Sequence, residues 1–333
     1  MSTTAGSFAE TVLVNVRANI ENFPNWDANV KKQFTPFNDT FKAIWGIQTA
    51  KFIDLEDPKK DKTVDVEWLN ACGLEDQACT DCTMEGVELS SNIQTLALNL
   101  CREVGFSIDE NKFQDNDFDK EDAISIGILK ADKELAEWLN AQVIAAIEAA
   151  KGVNDLGTKG KGTVTGTETY INSANWDAKL MAYFERVRKA NKFNNPIILD
   201  GSNLFEQVMG AKLDTDKTDN AFFGTLEYYS DEAGIDDANT PALKTYLIDR
   251  GAVAIASKVF YPNPVTYSFG DRYSMPSVLM PGINYDIYHT VACYGKKVKH
   301  QFKVIFNGLV ATAPTGCSET NTGILSFTCG VTP

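Results

Sequence analysis

"EDAISIGILKADKELAEWLNAQVIAAIEAA", Glu121–Ala150, is the clearest single element in the 333-residue chain. Ile128, Leu135, Trp138, Leu139, Gln142, Val143, Ala146 and Ile147 recur at three-, four- and seven-residue spacing. That spacing predicts an amphipathic α-helix, with Gly152 as its stop. If Gly127 is tolerated inside it, the helix spans about 45 Å at a rise of about 1.5 Å per residue. A helix of that length exceeds the needs of a compact domain and suits a spine, exposed along one face, that crosses an extended subunit.

Downstream, the glycines of "GVNDLGTKGKGTVTG" (Gly152–Gly166) predict a hinge or loop. A region of alternating helix and strand then follows. Helical patterns cover Ala174–Asn191, Asn203–Ala211 and the stretch after Pro241, "PALKTYLIDRG", around a buried-type strand "NPIILD" (Asn195–Asp200). This reads as a compact α+β unit. After Ala252 the character changes to antiparallel strands: "ASKVFYPN", "INYDIYHTVACYG", "KVKHQFKVIFNGLVAT" and "TGILSFTCG", separated by turn-forming residues.

Upstream, residues 1–43 read as an arm, weakly helical over Phe8–Ile20 and then interrupted by proline in "NFPNWD" and "QFTPFND". Phe23, Trp26, Phe34 and Phe37 sit on this irregular stretch and need a surface to cover, in the same chain or in a neighbour. "AIWGIQTAKFIDL", "TVDVEWLN" and "GVELSSNIQTLALNL" read as extended segments of a long two-stranded excursion with a polar tip. Such a hairpin is marginal alone and must rest on something larger.

Composition excludes several classes. A chain with 44% apolar side chains can bury a substantial core. Its formal net charge of -14 repels phosphate backbones and anionic lipids, which argues against tight contact with naked nucleic acid. The charge is uneven: from Ala252 onward Lys258, Arg272, Lys296, Lys297, Lys299 and Lys303 stand against Asp271, Asp286 and Glu319. No run of eighteen apolar residues and no basic, apolar leader is present, so a soluble protein made in a cytoplasm is expected.

Motifs with chemical potential each meet a plainer reading. Cys72, Cys79, Cys82 and Cys101 follow C-x6-C-x2-C-x18-C, in which only Cys79 and Cys82 have zinc-finger spacing, so free thiols or crosslinks are expected rather than a metal centre. Asp115, Asp117 and Asp119 match the start of a calcium loop, but Lys120 stands at the glycine position and Ile126 at the bidentate glutamate. Those acids serve better as a cap for the helix that follows. "GTKGKGT" (Gly157–Thr163) lacks the ending and the strand-to-helix setting of a phosphate loop. His289 and His300, the chain's two histidines, have no metal-ligand partner at helical spacing and read as satisfied or surface side chains. "LDGSN" places Asp200 and Ser202 after a buried strand, where a catalytic carboxylate is a rival to a turn and helix cap.

An aromatic arm, an extended excursion, an isolated long helix, a compact α+β unit and a terminal antiparallel run ending in "GILSFTCG" (Gly323–Gly330) stand in that order. This order resembles the major capsid proteins of tailed bacteriophages, built on the Hong Kong 97-like capsid fold. The resemblance implies an α+β fold with an N-terminal arm over 1–43, an E-loop over 44–107, a P-domain over 108–164 and 253–333 with its spine helix at 121–150, and an A-domain over 165–252. It implies a structural subunit that assembles with copies of itself, as pentamers and hexamers, into an icosahedral shell around double-stranded DNA. Scaffold, portal and decoration proteins are the implied further partners, with no membrane. The implied place is the virion capsid, assembled in the host cytoplasm, and no catalytic, cofactor or metal residue is implied. Some family members crosslink Lys to Asn; Lys59, Lys60 and Lys62 lie in a loop tip without a mark of that chemistry. The alternatives are a cytoplasmic α+β enzyme with a site near Asp200 and Ser202, or a phage tail or baseplate component.

Overall fold

The computed structural model describes residues 15–53, 55, 62–68, 92–109, 120–157, 159, 162–171, 180–202, 204, 221–222, 226–235, 244–267, 270–294, 297–314 and 322–329. Residues 15–21 are helical and lead into α1 (Ala28–Lys32), α2 (Asp39–Ile47), β1 (Lys51–Ile53), β2 (Thr63–Trp68), β3 (Asn92–Ala97) and β4 (Leu100–Asp109). The long helix α3 (Lys120–Ala150) follows, then β5 (Gly162–Thr165), β6 (Glu168–Ile171), α4 (Leu180–Ala190), β7 (Ile197–Asp200), β8 (Ala221–Phe222), β9 (Leu226–Ser230) and α5 (Glu232–Ile235). The chain closes with β10 (Lys244–Ile248), β11 (Val253–Ser257), β12 (Val265–Tyr267), β13 (Gly270–Pro276), β14 (Asn284–Tyr294), β15 (Lys297–Thr312) and β16 (Ile324–Cys329).

Helix α3 forms where its period predicts, with Glu121 and Asp122 facing the positive end of its dipole. Ile124, Ile128, Leu135, Leu139, Val143 and Ile147 are fully buried, and Lys130, Glu134, Ala141, Ala145 and Ala149 form an exposed stripe. Gly127 is required rather than tolerated, because a Cβ there would lie 2.3 Å from the Phe106 ring that packs on the helix. Beneath α3 lies a six-stranded antiparallel sheet in the order β11-β15-β14-β13-β12, with β4 also paired to β15. One face of that sheet, including Phe106, Phe302, Val304, Phe306, Tyr285 and Ile287, shares the main core with α3.

A second sheet has seven strands in the order β5-β6-β16-β10-β7-β9-β8, parallel at β16–β6 and β7–β9 and antiparallel elsewhere. Its central strands are apolar on both faces because both faces are covered. Ile197, Leu199, Tyr246, Ile248 and Ile324 join the core under α3, while Ile198, Leu247, Leu325 and Phe327 pack against Leu180, Tyr183, Phe184 and Val187 of α4. A third sheet, β1-β2-β3, lays Val64, Val66 and Trp68 over Ala254, Ala256 and Leu309. The buried Lys258 ties its base down by donating from Nζ to the Thr63 carbonyl (3.0 Å).

Several expectations are corrected. The start of "AIWGIQTAKFIDL", Ala43–Ile47, ends the helix Asp39–Ile47 and is not extended, because Thr40, Phe41, Ala43, Ile44 and Ile47 bury one helical face. "KTYLI" after Pro241 is the strand β10, not a helix; its neighbours β16 and β7 pair on both sides and override the local helix preference. The glycine-rich segment supplies β5 and, at Gly166 with φ +60°, the turn of the hairpin β5–β6. Residues 100–107 pair in the six-stranded sheet, and 162–164 and 324–329 lie in the seven-stranded one. The excursion has three described strands, not two, and its tip lies outside the described residues, as do most of Asn203–Ala211, Asp115–Asp119, Cys72, Cys79, Cys82, Lys59 and Lys60.

The arm does not depend on a neighbour for most of its aromatic cover. Phe23, Trp26 and Phe34 form an edge-to-face trio with centroids 5.4 to 6.3 Å apart, packed into the main core. The arm then runs beside α3 in the same direction: Asn19 Nδ2 donates to Asp122, Lys133 Nζ to the Gln33 carbonyl, the Phe37 N–H to Glu137 and the Phe41 N–H to Asn140. Phe37 alone of the four remains outside, 69% exposed.

Candidate functional site

Three polar side chains, Asp132, Asn140 and Glu148, are evenly spaced along α3 and turned inward, and each makes a joint to a different part of the molecule. Asp132 is fully buried; it accepts from the Ser277 hydroxyl (2.7 Å) and the Val278 and Leu279 N–H groups (3.2 and 3.4 Å) in the loop between β13 and β14. Asn140 accepts from the Phe41 N–H (2.8 Å) and donates to Asp231 Oδ2 (2.7 Å). Asp231 also accepts from the Thr40 N–H and hydroxyl and, through Oδ1, from the Gly234 N–H, so one carboxylate binds α2, α3 and α5 together. Glu148 accepts from Lys151, Lys244 and the Tyr246 hydroxyl, and Lys151 reaches on to Glu168 (2.6 Å), which takes the Ser326 and Thr328 hydroxyls. This joint fastens the end of α3 to β6, β10 and β16.

The electrostatics follow from those partners. Burial would raise Glu148, but the hydrogen bonds from Lys151, Lys244 and Tyr246 outweigh it and hold the carboxyl below its usual range. Asp132 has no cation beside it among the described residues, so burial dominates over its hydrogen bonds and pushes it up to about 6. The folded chain therefore holds a proton there that the unfolded chain has released, and stability falls as pH rises from about 4 to about 6. At about 1.4 kcal/mol per unit, the loss is about 3 kcal/mol at most. Urea unfolding across that window is expected to show a flatter pH dependence for Asp132→Asn than for the parent. Asp249, half-buried and also raised to about 6, keeps part of the slope in both.

Asp200 stands at the end of β7 as the sequence places it, but its oxygens are occupied by the chain itself. Oδ2 accepts from the Leu204 N–H and the Tyr228 hydroxyl (both 2.9 Å), and Oδ1 from the Thr245 hydroxyl. Asp200 is fully buried and Ser202 half-buried, which is the turn arrangement. His289 and His300 come together on β14 and β15: His289 Nε2 lies 3.0 Å from His300 Nδ1, and His289 Nδ1 lies 3.4 Å from Asp271 Oδ2. Both rings are buried, and the His289 ring stacks on Phe302. Cys101 and Cys293 are exposed free thiols, and no group of three metal-ligating side chains occurs among the described residues. No helix among them is long and apolar enough to cross a membrane.

The helical joints escaped the sequence reading, although a signal for them exists. Asp132 falls on the apolar stripe Ile128–Leu135–Leu139, and Asn140 on the stripe Ala136–Val143–Ile147. A polar group on such a stripe is buried and must find a partner.

The described chain is thus an α+β protein whose buried carboxylates are engaged in joints between its own elements. No protein-family model matches the sequence, and no curated protein matches it. Solved structures do. The chain is similar to the capsid asymmetric unit of cyanophage Pam1, at 11% identity over 83% of this chain and 87% of that one, with a TM-score of 0.45. It is similar to the mature capsid of bacteriophage PhiM1, at 9% identity over 84% and 85% with a TM-score of 0.44, and to a structure of mycobacterium phage Bobi, at 12% identity over 87% and 90% with a TM-score of 0.42.

Proposed function

We propose that this chain is the structural subunit of the icosahedral shell of a tailed phage, in which copies of itself form pentamers and hexamers around packaged double-stranded DNA. The observation that supports the reading is the arrangement around α3: a 31-residue helix fixed by internal joints to two separate sheets, with an arm laid along it and a three-stranded sheet carried outside the main core. In this reading residues 15–47 belong to the arm and 51–97 to the E-loop. The six-stranded sheet with α3 makes the P-domain, and the seven-stranded sheet with α4, including β5, β6 and β16, makes the A-domain. No catalytic role is assigned, since the Asp200 and Asp231 oxygens already accept hydrogen bonds from their own chain. A net charge of -14 also suits a shell that encloses DNA without adhering to it. Scaffold, portal and decoration proteins would be its other partners, and the virion its place after assembly in the host cytoplasm.

Sedimentation and negative-stain microscopy of the expressed chain, alone and with a scaffold protein, provide the test. Rings, capsomers or shells are the expected result. A strictly monomeric protein whose melting transition rises with a small ligand would overturn it.

A further inference from the structure

The sheets of this molecule end in edges of two kinds. Edge strands β1, β5, β8 and β12 are at most four residues long. The buried β11 has its Ile255 N–H covered by the Gln48 side chain (3.0 Å), and the long β4 carries Arg102, Glu103 and Asp109. Shortness, cover and charge are the usual protections against unwanted strand pairing. Strand β3, "NIQTLA", has none of these among the described residues: it is six residues long, without charge or proline, and Ile93 is 54% exposed. Among the described residues it pairs with β2 alone.

The groups at its open edge follow from the register. Leu98 N–H donates to the Lys62 carbonyl (2.7 Å), and β3 continues that antiparallel pairing through Ala97↔Thr63 to Asn92↔Trp68. Alternation then directs the N–H and C=O of Asn92, Gln94 and Leu96 toward β2 and those of Ile93, Thr95 and Ala97 outward. We propose that this edge pairs antiparallel with β3 of a second copy, about a two-fold axis at Thr95. With Thr95 opposite Thr95, Ile93 stands opposite Ala97 of the second copy, and every outward N–H and C=O of the three residues finds a partner. The pairing respects the pleat: Ile93, Thr95 and Ala97 share one face, so the exposed Ile93 gains cover beside Ala97. A two-fold contact sets a surface against itself, which an uncharged strand accepts without bringing like charges together. The second copy is therefore the occupant to which the absence of charge on β3 points. The inference deepens the shell reading by naming one contact between copies.

Charge exchange at the axis tests it. In T95K the ammonium has Asp65 as its cross-strand neighbour within its own chain, since Thr95 faces Asp65 and its hydroxyl donates there (2.6 Å). Two such ammoniums would meet across the axis, and two carboxylates in T95E. Each variant alone is expected to associate about tenfold more weakly or worse by sedimentation, and an equimolar mixture to recover most of the loss. Hydrogen exchange of the 92–97 segment in the unaltered protein gives a reading independent of either variant's folding: the segment should be protected only in the assembled state. Assembly by T95K at parent strength, a mixture that does not recover, or a 92–97 segment left unprotected in assemblies would each overturn the pairing while leaving the shell reading standing. If the parent chain never associates, the shell reading itself falls, and the pairing with it.

Discussion

Asp231→Ala is expected to destabilise the fold by about 3–5 kcal/mol, the scale found when a buried charge network loses one member. The Thr40 N–H and hydroxyl, the Asn140 side-chain amide and the Gly234 N–H all lose their acceptor in a buried place. Each orphaned donor carries a desolvation cost of about 1–3 kcal/mol, and the four do not add because the neighbourhood relaxes as a unit. Asp231→Asn keeps one oxygen for part of this set and should lose less. Urea unfolding of both variants and of Asn140→Ala, taken as a double-mutant cycle, checks the argument. Independent losses for Asp231 and Asn140 would mean that the carboxylate does not join α2 to α3. If the joint is real, the first segment to loosen is the arm, whose attachment to α3 passes through Thr40, Phe41 and Asn140.

Such joints also mark the limit of what a local pattern can reveal. The long helix was legible because its apolar residues keep one period over thirty positions and stop at Gly152, whose N–H is used elsewhere, by the Ile324 carbonyl. Strands β14 and β15 were legible because they alternate between turn residues, and β7 because "IILD" is apolar throughout. The helix Asp39–Ile47 was hidden: its period starts with Thr40 and Phe41, directly after the helix-breaking Pro36 and Asn38, and its later half is rich in residues that also suit strands. Strand β10 was hidden because Ala242, Leu243 and Lys244 favour a helix, while what makes it a strand is pairing with β7 and β16, distant in sequence. The same distance separates Asp132 from Ser277, so the stripe could announce a buried carboxylate but not its partner. The α+β character could be read ahead of the structure. The membership of β4, β5 and β16 in their sheets could not, since a strand's own residues do not say which edge it will meet.

Gly282→Ala is expected to cost about 3 kcal/mol or more, from two sources that reinforce one another. Gly282 has φ +76°, a region in which a Cβ meets its own backbone, and it turns the chain between β13 and β14, where the Ser277 N–H donates to the Ile283 carbonyl (2.8 Å). A Cβ placed there would also lie 2.0 Å from Trp45 Cζ2. The indole cannot simply withdraw, because it stacks on Phe41 at 5.9 Å, and Phe41 is fully buried with its N–H held by Asn140. Relief must come from moving the turn, which would pull the Ser277–Leu279 loop from Asp132, or from moving α2, which would pull Thr40 from Asp231. Gly46→Ala is the matched control within α2: its Cβ would meet nothing within 4 Å, and alanine in a helix is favoured over glycine by about 0.5–1 kcal/mol. Urea midpoints moving in opposite directions for the two alanines are the expected outcome. A neutral Gly282→Ala would show that the turn and the arm helix are not packed against each other as described.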